Sequence, residues 1–408
     1  MRKKSHFRGG SDAEEPHEGE SDAGKPVAGL PGFLRGNSRR ALLALALIFI
    51  LGLGLRLYGI SEKIQAPDED VTLARLSGFT AAPVESPAPD FNPPLYYLLV
   101  APAYLIAPGL ASVRLMGALF GALTVLVIFF LAGEFMGENK SLLAAFLFAI
   151  YPYSIVYSQQ ARNYALAVLL FAIATLFWVR FLKGKNSARA LLPIYAAMLY
   201  THYVLIFGVL AHAAITFFLK GSSGAESRKY LFSVAVVALL AVPLLLLIVM
   251  QGGQTGLSNS AAASFDSRAV LNYFRQGVGI DYGFYFGNAY GIYGRPVPKF
   301  MVPAAACWAL VFLGLFALWR KREDFFILAG TYFLVAFVAL VGGMFSTFLA
   351  QPHYLLFITP VFLLFIVRGT NFKSIPRTVL FLLVVGGWLQ AILFYYSHLP
   401  NLHYIGLP

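Results

Sequence analysis

The sequence predicts an all-α polytopic membrane protein with about eleven transmembrane helices. Of its 408 residues 59% are hydrophobic and only 12% are charged, whereas soluble domains carry about a quarter charged residues. A hydrocarbon core of roughly 30 Å needs about 20 apolar residues in a helix, and runs of this kind recur along the chain. Eight runs, uncharged apart from arginines near span ends, define crossings directly: Ala41–Tyr58, Val113–Ala132, Ser141–Tyr157, Tyr164–Phe181, Tyr230–Met250, Phe300–Leu318, Phe325–Met344 and Val379–Tyr395.

Three shorter crossings complete the count. The basic clusters at 183–189 and 228–229 belong on one side, so the apolar stretch 188–220 must cross twice, with its turn near Thr201–His202. The segment Tyr354–Val367 supplies the eleventh crossing. Residues 94–107 are short and contain Pro102, which favours an interfacial helix that does not cross.

The distribution of basic residues predicts the orientation. With the amino terminus in the cytoplasm, the cytoplasmic segments hold 21 Lys and Arg, and the opposite side holds 7. The positive-inside rule supports this arrangement. We therefore expect a multi-pass protein of the plasma (inner) membrane, with its site on the outer, periplasmic face. The net charge of +12 reflects orientation, and nucleic-acid binding is not indicated.

The predicted organisation is one transmembrane domain with two long outer loops. Residues 1–40 are polar and rich in Gly and Ser, which predicts a disordered cytoplasmic tail. The transmembrane domain covers 41–395, with a first outer loop at 59–112 that bears interfacial helices and a second at 251–300. Residues 396–408 form an outer tail. Cys307 is the single cysteine, so no intrachain disulfide forms.

Polar residues gather at the predicted outer ends of the spans, where such groups are functional candidates by default. Each motif also has a structural interpretation. The acids after Pro67 suit a helix start, the tyrosines after Asn92 suit an interfacial anchor, and Arg162 suits a lipid headgroup as well as a substrate phosphate. The two His-Tyr pairs suit satisfied structural residues. Their common side favours a site made of Asp68, Glu69, Asn92, Tyr96, Gln160, Arg162, Tyr164, His202, Tyr203, His353 and Tyr354.

In order and spacing these motifs resemble the GT-C fold glycosyltransferases that use polyprenyl-phosphate sugars, specifically the dolichyl-phosphate-mannose protein mannosyltransferase and aminoarabinose transferase group. The likeness runs from about Arg56 to Pro360 through LRLYGI, PDE, NPPLYYLL, RLMGALFGALT, YSQQARNYAL, YTHY and PHYLLFITP. It implies transfer of a sugar from a polyprenyl-phosphate donor to a lipid, glycan or protein acceptor on the outer face, with inversion.

The resemblance also implies residue roles. Asp68, with Glu69 beside it, falls on the catalytic position and would act as general base. Arg162, His202 and His353 would hold the donor phosphate, while the substrate contacts would come from Asn92, Tyr96, Gln160, Tyr164, Tyr203 and Tyr354. Relatives often have His or Lys at the position of Asn92 and Arg at the position of His353, so phosphate contacts there depart from the family pattern.

Two alternatives for the function stay open at this point. A lipid-linked saccharide transporter or flippase would need polar groups buried mid-span, and a non-catalytic membrane subunit would bind lipid phosphate without transfer. No cofactor is required by the sequence, and no metal-ligand spacing appears. A divalent cation near Asp68, Glu69 and Asp70 is an alternative that nothing in the sequence demands.

Overall fold

The computed structural model describes most of the predicted transmembrane domain, and all regular structure in the described part is helical. The described residues are 38–63, 65–80, 92–221, 224–244, 246, 298–345 and 352–397. The predicted tail up to residue 37, most of the loop 251–300 and the terminal residues 398–408 lie outside the described residues. So do the side chains of His353 and Tyr354.

Fourteen α-helices occur in the described part of the chain. Short 3₁₀ turns precede three of them, at Ala188–Ala190, Tyr203–Leu205 and Pro352–Ile358. The helices are α1 Arg39–Leu57, α2 Pro67–Ser77, α3 Leu95–Ile106, α4 Leu110–Gly133, α5 Glu138–Ala149, α6 Pro152–Ser158, α7 Tyr164–Leu182, α8 Leu191–Leu199, α9 Ile206–Lys220, α10 Ala225–Leu240, α11 Pro298–Trp319, α12 Arg322–Phe345, α13 Thr359–Gly369 and α14 Ile375–Ser397.

These helices confirm the predicted fold class. In the described residues, seven helices are long and apolar enough to cross a membrane, and an eighth span is formed if the bent pair α5 and α6 counts as one. The two helices of the predicted double crossing are present, since α8 ends at Leu199 and α9 begins at Ile206. Of the two segments, only Tyr203–Lys220 is long and apolar enough to count as a span. Residues 188–199 and 355–369 are shorter apolar helical segments, as the limited number of apolar residues in these stretches requires.

The predicted span Ser141–Tyr157 consists of two helices in the structure. The chain bends by 54° between α5 and α6, where Pro152 begins the second helix. Proline lacks an N–H for the preceding turn and therefore breaks a helix at this position. Arg56 of α1 fills the bend, donating from its guanidinium to the carbonyl oxygens of Phe148 and Ala149 and to the hydroxyl of Ser154.

Helix α3 does not cross the bundle. Its first residue, Leu95, donates its backbone N–H to the carbonyl of Tyr200 at 2.9 Å, in the turn between α8 and α9. Its last residue leads through Gly109, which has a φ of 145°, directly into α4, where Arg114 contacts Glu69. Both ends of α3 therefore lead to the end of the bundle that holds Asp68, Arg114, Arg162 and His202, here called the site end.

The opposite end of the bundle carries basic residues and is here called the basic end. Glu134 after α4 accepts hydrogen bonds from Arg180 at 2.8 Å and from Lys185 at 2.7 Å. Lys140 at the start of α5 donates to the carbonyl of Thr370 after α13. Cations at helix carboxyl ends complement the helix dipole. The long helices thus separate a site end from a basic end, as the charge pattern predicts.

Helix α7 forms the centre of the bundle. In an apolar stretch of 18 residues, 78% of α7 is buried inside the bundle, against 22% for the corresponding stretch of α1. Helix α7 packs against α4, α8 and the 3₁₀ turn Pro352–Ile358. Two glycines let α4 approach the turn that leads into α7. A Cβ added at Gly117 would lie 2.7 Å from the carbonyl oxygen of Ser158, and one at Gly121 would collide with the hydroxyl of Ser158 and with Arg56. This close contact fixes the position of the 158–163 turn relative to α4 at the site end.

Candidate functional site

Asp68 and Arg162 face each other at the surface of the site end. The Arg162 Nε lies 3.8 Å from the Asp68 Oδ2, and the Arg162 side chain is 11% exposed while that of Asp68 is 49% exposed. Arg162 also donates from Nη1 to the Asp68 carbonyl at 3.2 Å. The guanidinium is therefore held in place by the start of α2, whereas the carboxylate is open to solvent and to a ligand.

Glu69 has the opposite environment, although it is the next residue. Its side chain is fully buried, and Arg114 donates to Oε1 at 2.9 Å and to Oε2 at 2.7 Å. The backbone N–H of Ala66 and that of Ala161 each donate to one of these oxygens as well, at 2.9 and 2.7 Å. Both carboxylate oxygens are therefore already saturated by the protein, which leaves no lone pair for a reaction.

The negative charge of the buried Glu69 is stabilised by its neighbours. Burial alone would raise the pKa of Glu69, but the hydrogen bonds from Arg114 and the positive charge of Lys63 hold this pKa below its usual value. Arg114 also donates to the carbonyl oxygens of Ile60 and Lys63, at 2.9 and 2.8 Å. One ion pair thus ties the loop after α1, the start of α2, the start of α4 and the turn before α7 together.

The turn between α6 and α7 connects to several elements at once. Gln159 donates to the carbonyls of Arg56 and Tyr58 at the end of α1 and accepts from the hydroxyl of Tyr395 in α14 at 2.6 Å. The N–H of Ala161 binds Glu69, and Arg162 contacts Asp68. The short connection QQARN therefore positions its side chains by contacts with three other parts of the chain.

Asn163 brings two further motifs to the same place. Its Nδ2 donates to the carbonyl of Thr201 at 2.7 Å and to the Oδ1 of Asn92 at 3.1 Å. Thr201 belongs to the YTHY motif between α8 and α9, and Asn92 belongs to NPPLYY before α3. The motifs that the sequence places on one side of the membrane are thus hydrogen-bonded to one another in the structure.

His202 is buried beside this cluster and is neutral. The backbone N–H of Val204 donates to its Nδ1 at 3.2 Å, so the proton of the neutral ring lies on Nε2. Burial, together with the smaller effect of the positive charge of Arg162, lowers the pKa of His202 to about 3. In the ligand-free protein His202 is therefore a hydrogen-bond donor near Arg162 and not a second positive charge.

Aromatic rings form one wall of the site. Tyr164 packs edge-on against Tyr157, with ring centroids 5.2 Å apart, and its ring centroid lies 6.1 Å from that of His202. Tyr203 follows His202 and is partly exposed, while Gln160 is 9% exposed and Tyr96 is 1% exposed. These predicted substrate contacts all lie on the elements that meet at the site end.

The last predicted motif reaches the same region through its backbone. The 3₁₀ turn Pro352–Ile358, which contains His353 and Tyr354, packs against α7 and against the turn Tyr203–Leu205. Phe357 contacts Phe171 of α7 with ring centroids 4.9 Å apart. The backbone position therefore agrees with a site that includes this motif, and the roles of His353 and Tyr354 stay predictions.

Two residues at the centre of the site, Arg114 and Asn163, are not among the residues that the sequence predicts for it. Arg114 lies at the start of a predicted span, where an arginine needs an anionic partner, and Glu69 is that partner. Asn163 lies between the predicted Arg162 and Tyr164 and carried no signal of its own. Among the described residues, no group of three or more His, Cys, Asp or Glu could hold a metal ion.

Solved structures of membrane transferases share this fold. The chain matches the Archaeoglobus fulgidus oligosaccharyltransferase with a TM-score of 0.54 at 14% identity, covering 90% of this chain and 56% of that one. It matches ArnT from Cupriavidus metallidurans, in a structure bound to undecaprenyl phosphate, with a TM-score of 0.53 at 13% identity, covering 88% and 75%. The chain therefore has the polytopic, all-helical membrane fold of these two structures.

The sequence model of the dolichyl-phosphate-mannose-protein mannosyltransferase family matches residues 91–247. This segment contains both the Arg162 and the His202 motifs, and the predicted resemblance is confirmed. The Saccharomyces cerevisiae protein O-mannosyltransferase Pmt1–Pmt2 complex bound to the sugar donor aligns over 53% of this chain and 34% of that one, with 17% identity and a TM-score of 0.40. The chain thus spans about a third of that protein and about half of the archaeal enzyme. No curated protein sequence matches the chain.

Proposed function

We propose that this protein transfers a sugar from a polyprenyl-phosphate donor to a lipid, glycan or protein acceptor at the outer face of the plasma membrane. The observation that carries the proposal is the pairing of a half-exposed carboxylate, Asp68, with a nearly buried guanidinium, Arg162, 3.8 Å away. Transfer from a lipid phosphate needs one group that takes a proton and another that stabilises the departing phosphate. The family match and the shared fold support the donor class.

The proposed reaction is a single displacement. The acceptor oxygen attacks the anomeric carbon, its proton passes to the Asp68 carboxylate, and the bond from the anomeric carbon to the phosphate oxygen breaks. The bonding electrons leave with the polyprenyl phosphate, whose charge Arg162 neutralises, with His202 donating from Nε2. Because attack and departure occur on opposite sides of the carbon, the product has inverted anomeric configuration.

Glu69 has a different role in this scheme from that predicted by the resemblance. Both its oxygens are occupied by Arg114 and by two backbone N–H groups, so we assign it the positioning of α2 relative to the 158–163 turn. Asp68 alone is then the proposed base. His353 stays a proposed phosphate contact, and the step uses side chains of this chain without a resident metal. The proposed substrate contacts stay Asn92, Tyr96, Gln160, Tyr164, Tyr203 and Tyr354.

The base assignment is tested with Asp68→Asn against the matched control Asp70→Asn. Both acids lie in the first turn of α2, so each change removes one negative charge from the same helix amino terminus. Sugar-modified lipids and glycoproteins are quantified by mass spectrometry in a deletion strain that carries each variant. We expect Asp68→Asn to lower the product about 100- to 10,000-fold and Asp70→Asn to retain most of it. Parental product levels with Asp68→Asn would instead favour a non-catalytic lipid-binding subunit.

The phosphate assignment is tested with Arg162→Gln against Arg189→Gln, which makes the same charge change at an exposed residue of the basic end. Binding of undecaprenyl phosphate to the purified protein is measured by native mass spectrometry. A hydrogen bond to a charged group is worth about 1.5–3 kcal/mol, so Arg162→Gln should weaken binding about 10- to 100-fold. Equal affinities for the two variants would remove Arg162 from the phosphate site.

A further inference from the structure

The side chain of Asn163 has a fixed orientation that ordinary helix capping does not explain. Asn163 is the first flanking residue of α7, yet its side chain makes no cap hydrogen bond. Its Nδ2 donates instead to the carbonyl of Thr201 at 2.7 Å and to Oδ1 of Asn92. A carbonyl only accepts, so the atom that faces Thr201 must be the nitrogen. The position of Oδ1 is therefore determined as well.

That Oδ1 is buried and has no hydrogen-bond partner among the described residues. The hydroxyl of Tyr96 is in the same situation, and its side chain is 1% exposed. A buried polar atom without a partner costs about 1–3 kcal/mol, and native proteins contain few such atoms. Two of them at one site call for an explanation, and a ligand that supplies the missing partners is one.

Both atoms border the proposed phosphate site. Asn163 directly follows Arg162, and the charge of Arg162 acts on the Tyr96 hydroxyl. Leu95, which precedes Tyr96, donates its N–H to the carbonyl of Tyr200, one residue before the carbonyl that Asn163 binds. The segments that carry the two atoms are therefore joined through the same turn between α8 and α9.

The chemistry of the two atoms distinguishes sugar from phosphate. An amide oxygen only accepts hydrogen bonds, and a phosphate monoanion or dianion offers mainly acceptors. A sugar hydroxyl can donate to the amide oxygen and accept from a tyrosine. We propose that Asn163 Oδ1 and the Tyr96 hydroxyl form a sugar-recognition pair, which binds hydroxyl groups of the donor's sugar beside the phosphate held by Arg162. The proposal rests on the transferase function proposed above.

Both atoms are shielded from solvent. A sugar hydroxyl therefore reaches them only after a local movement of the groups that surround them.

Tyr96→Phe is the decisive variant, with Tyr104→Phe on the same helix as its control. The Tyr96 hydroxyl has no hydrogen-bond partner in the described part of the chain when the sugar donor is not bound. We therefore expect its removal to leave the melting temperature of the purified protein unchanged or to raise it. Binding of undecaprenyl phosphate, which carries no sugar, should stay within about twofold of the parent. Sugar product in the complemented deletion strain should fall about five- to tenfold, the equivalent of one neutral hydrogen bond. Tyr104→Phe should match the parent in all three measurements.

Each other outcome overturns a defined part of the proposal. A parental product level with Tyr96→Phe would remove the sugar contact, and a lower melting temperature would show that the hydroxyl is structural. Weaker binding of undecaprenyl phosphate would assign Tyr96 to the phosphate instead. Asn163→Ala should lower the product at least tenfold, and a parental product level with this variant would remove Asn163 from the pair. If the parental gene restores no sugar product in the deletion strain, the proposed transferase function is wrong, and the proposed sugar-recognition pair is wrong as well.

Discussion

Arg114 binds Glu69 through two parallel hydrogen bonds, of 2.9 Å from Nε to Oε1 and 2.7 Å from Nη2 to Oε2. Neither side chain is more than 2% exposed. Removing one member of a buried ion pair leaves an uncompensated charge and costs about 3–5 kcal/mol. Glu69→Gln and Arg114→Met should therefore each lower the melting temperature of the purified protein by about 5–15 °C.

The exposed pair Glu226–Lys229 provides the control for this prediction, because exposed ion pairs contribute little to stability. Glu226→Gln should leave the melting temperature nearly unchanged. The double variant of Glu69 and Arg114 should lose less than the sum of the single variants, since neither charge is then left alone. Additive losses would show that the two residues act independently.

His202 should make the ligand-free protein less stable as the pH falls below about 6.5. Its pKa is lowered to about 3 in the folded protein, so from pH 6.5 downward the unfolded chain binds a proton that the folded chain does not, and folding stability is lost. Melting temperatures measured between pH 8 and pH 5 should fall, and the fall should be smaller in His202→Asn. A bound phosphate favours the charged ring, so undecaprenyl phosphate should reduce the fall in the parent. Identical pH slopes for the parent and His202→Asn would contradict this assignment.

Gly117→Ala should disrupt the site from a distance. The added Cβ would lie 2.7 Å from the carbonyl oxygen of Ser158, a backbone atom that cannot turn away, and overpacking of this kind costs about 1–3 kcal/mol. The 158–163 turn must shift, so we expect both a lower melting temperature and weaker binding of undecaprenyl phosphate. Gly54→Ala is the matched control in α1, where an added Cβ meets nothing within 4 Å. If Gly117→Ala behaves like Gly54→Ala, the close approach of α4 is not needed.

The proposed orientation predicts which end of the bundle an impermeant reagent can reach. Cys307 is buried, so an introduced cysteine can be labelled against a low background. Glu62→Cys at the site end and Lys373→Cys at the basic end both replace exposed residues. In intact cells an impermeant maleimide should label the first and not the second, and lysis should expose both. Labelling of Lys373→Cys alone would invert the topology and place the site in the cytoplasm.

Hydropathy and charge predict much of this fold because they report directly on the bilayer. Apolar runs mark where helices cross, and the excess of basic residues marks one end of each. The bend at Pro152 was not anticipated, although proline was its visible cause, because the flanking residues are apolar on both sides. The start of α10 at Ala225, ahead of the apolar residues from Tyr230, shows the same limit, since a helix can extend beyond the lipid through charged residues.

The site was predicted as a set of residues on one side, but not as a set of contacts. Asp68 and Glu69 look alike in the sequence, and only the structure shows that one is open and the other is saturated by Arg114. That difference depends on a partner 45 residues away, which no local pattern reveals. Asn163 was missed for a related reason, because its significance lies in an oxygen atom without a partner.

In the turn from Gln159 to Asn163, four residues each contact a different part of the chain. Gln159 binds α1 and α14, Ala161 binds Glu69, Arg162 contacts Asp68, and Asn163 binds Thr201. Inserting a single residue here would displace every later assignment by one position, so that no partner would meet the atom it now binds. This stretch should therefore resist changes in length far more strongly than changes in composition. Epitope tags, reporter insertions and chimaera junctions belong elsewhere in the chain.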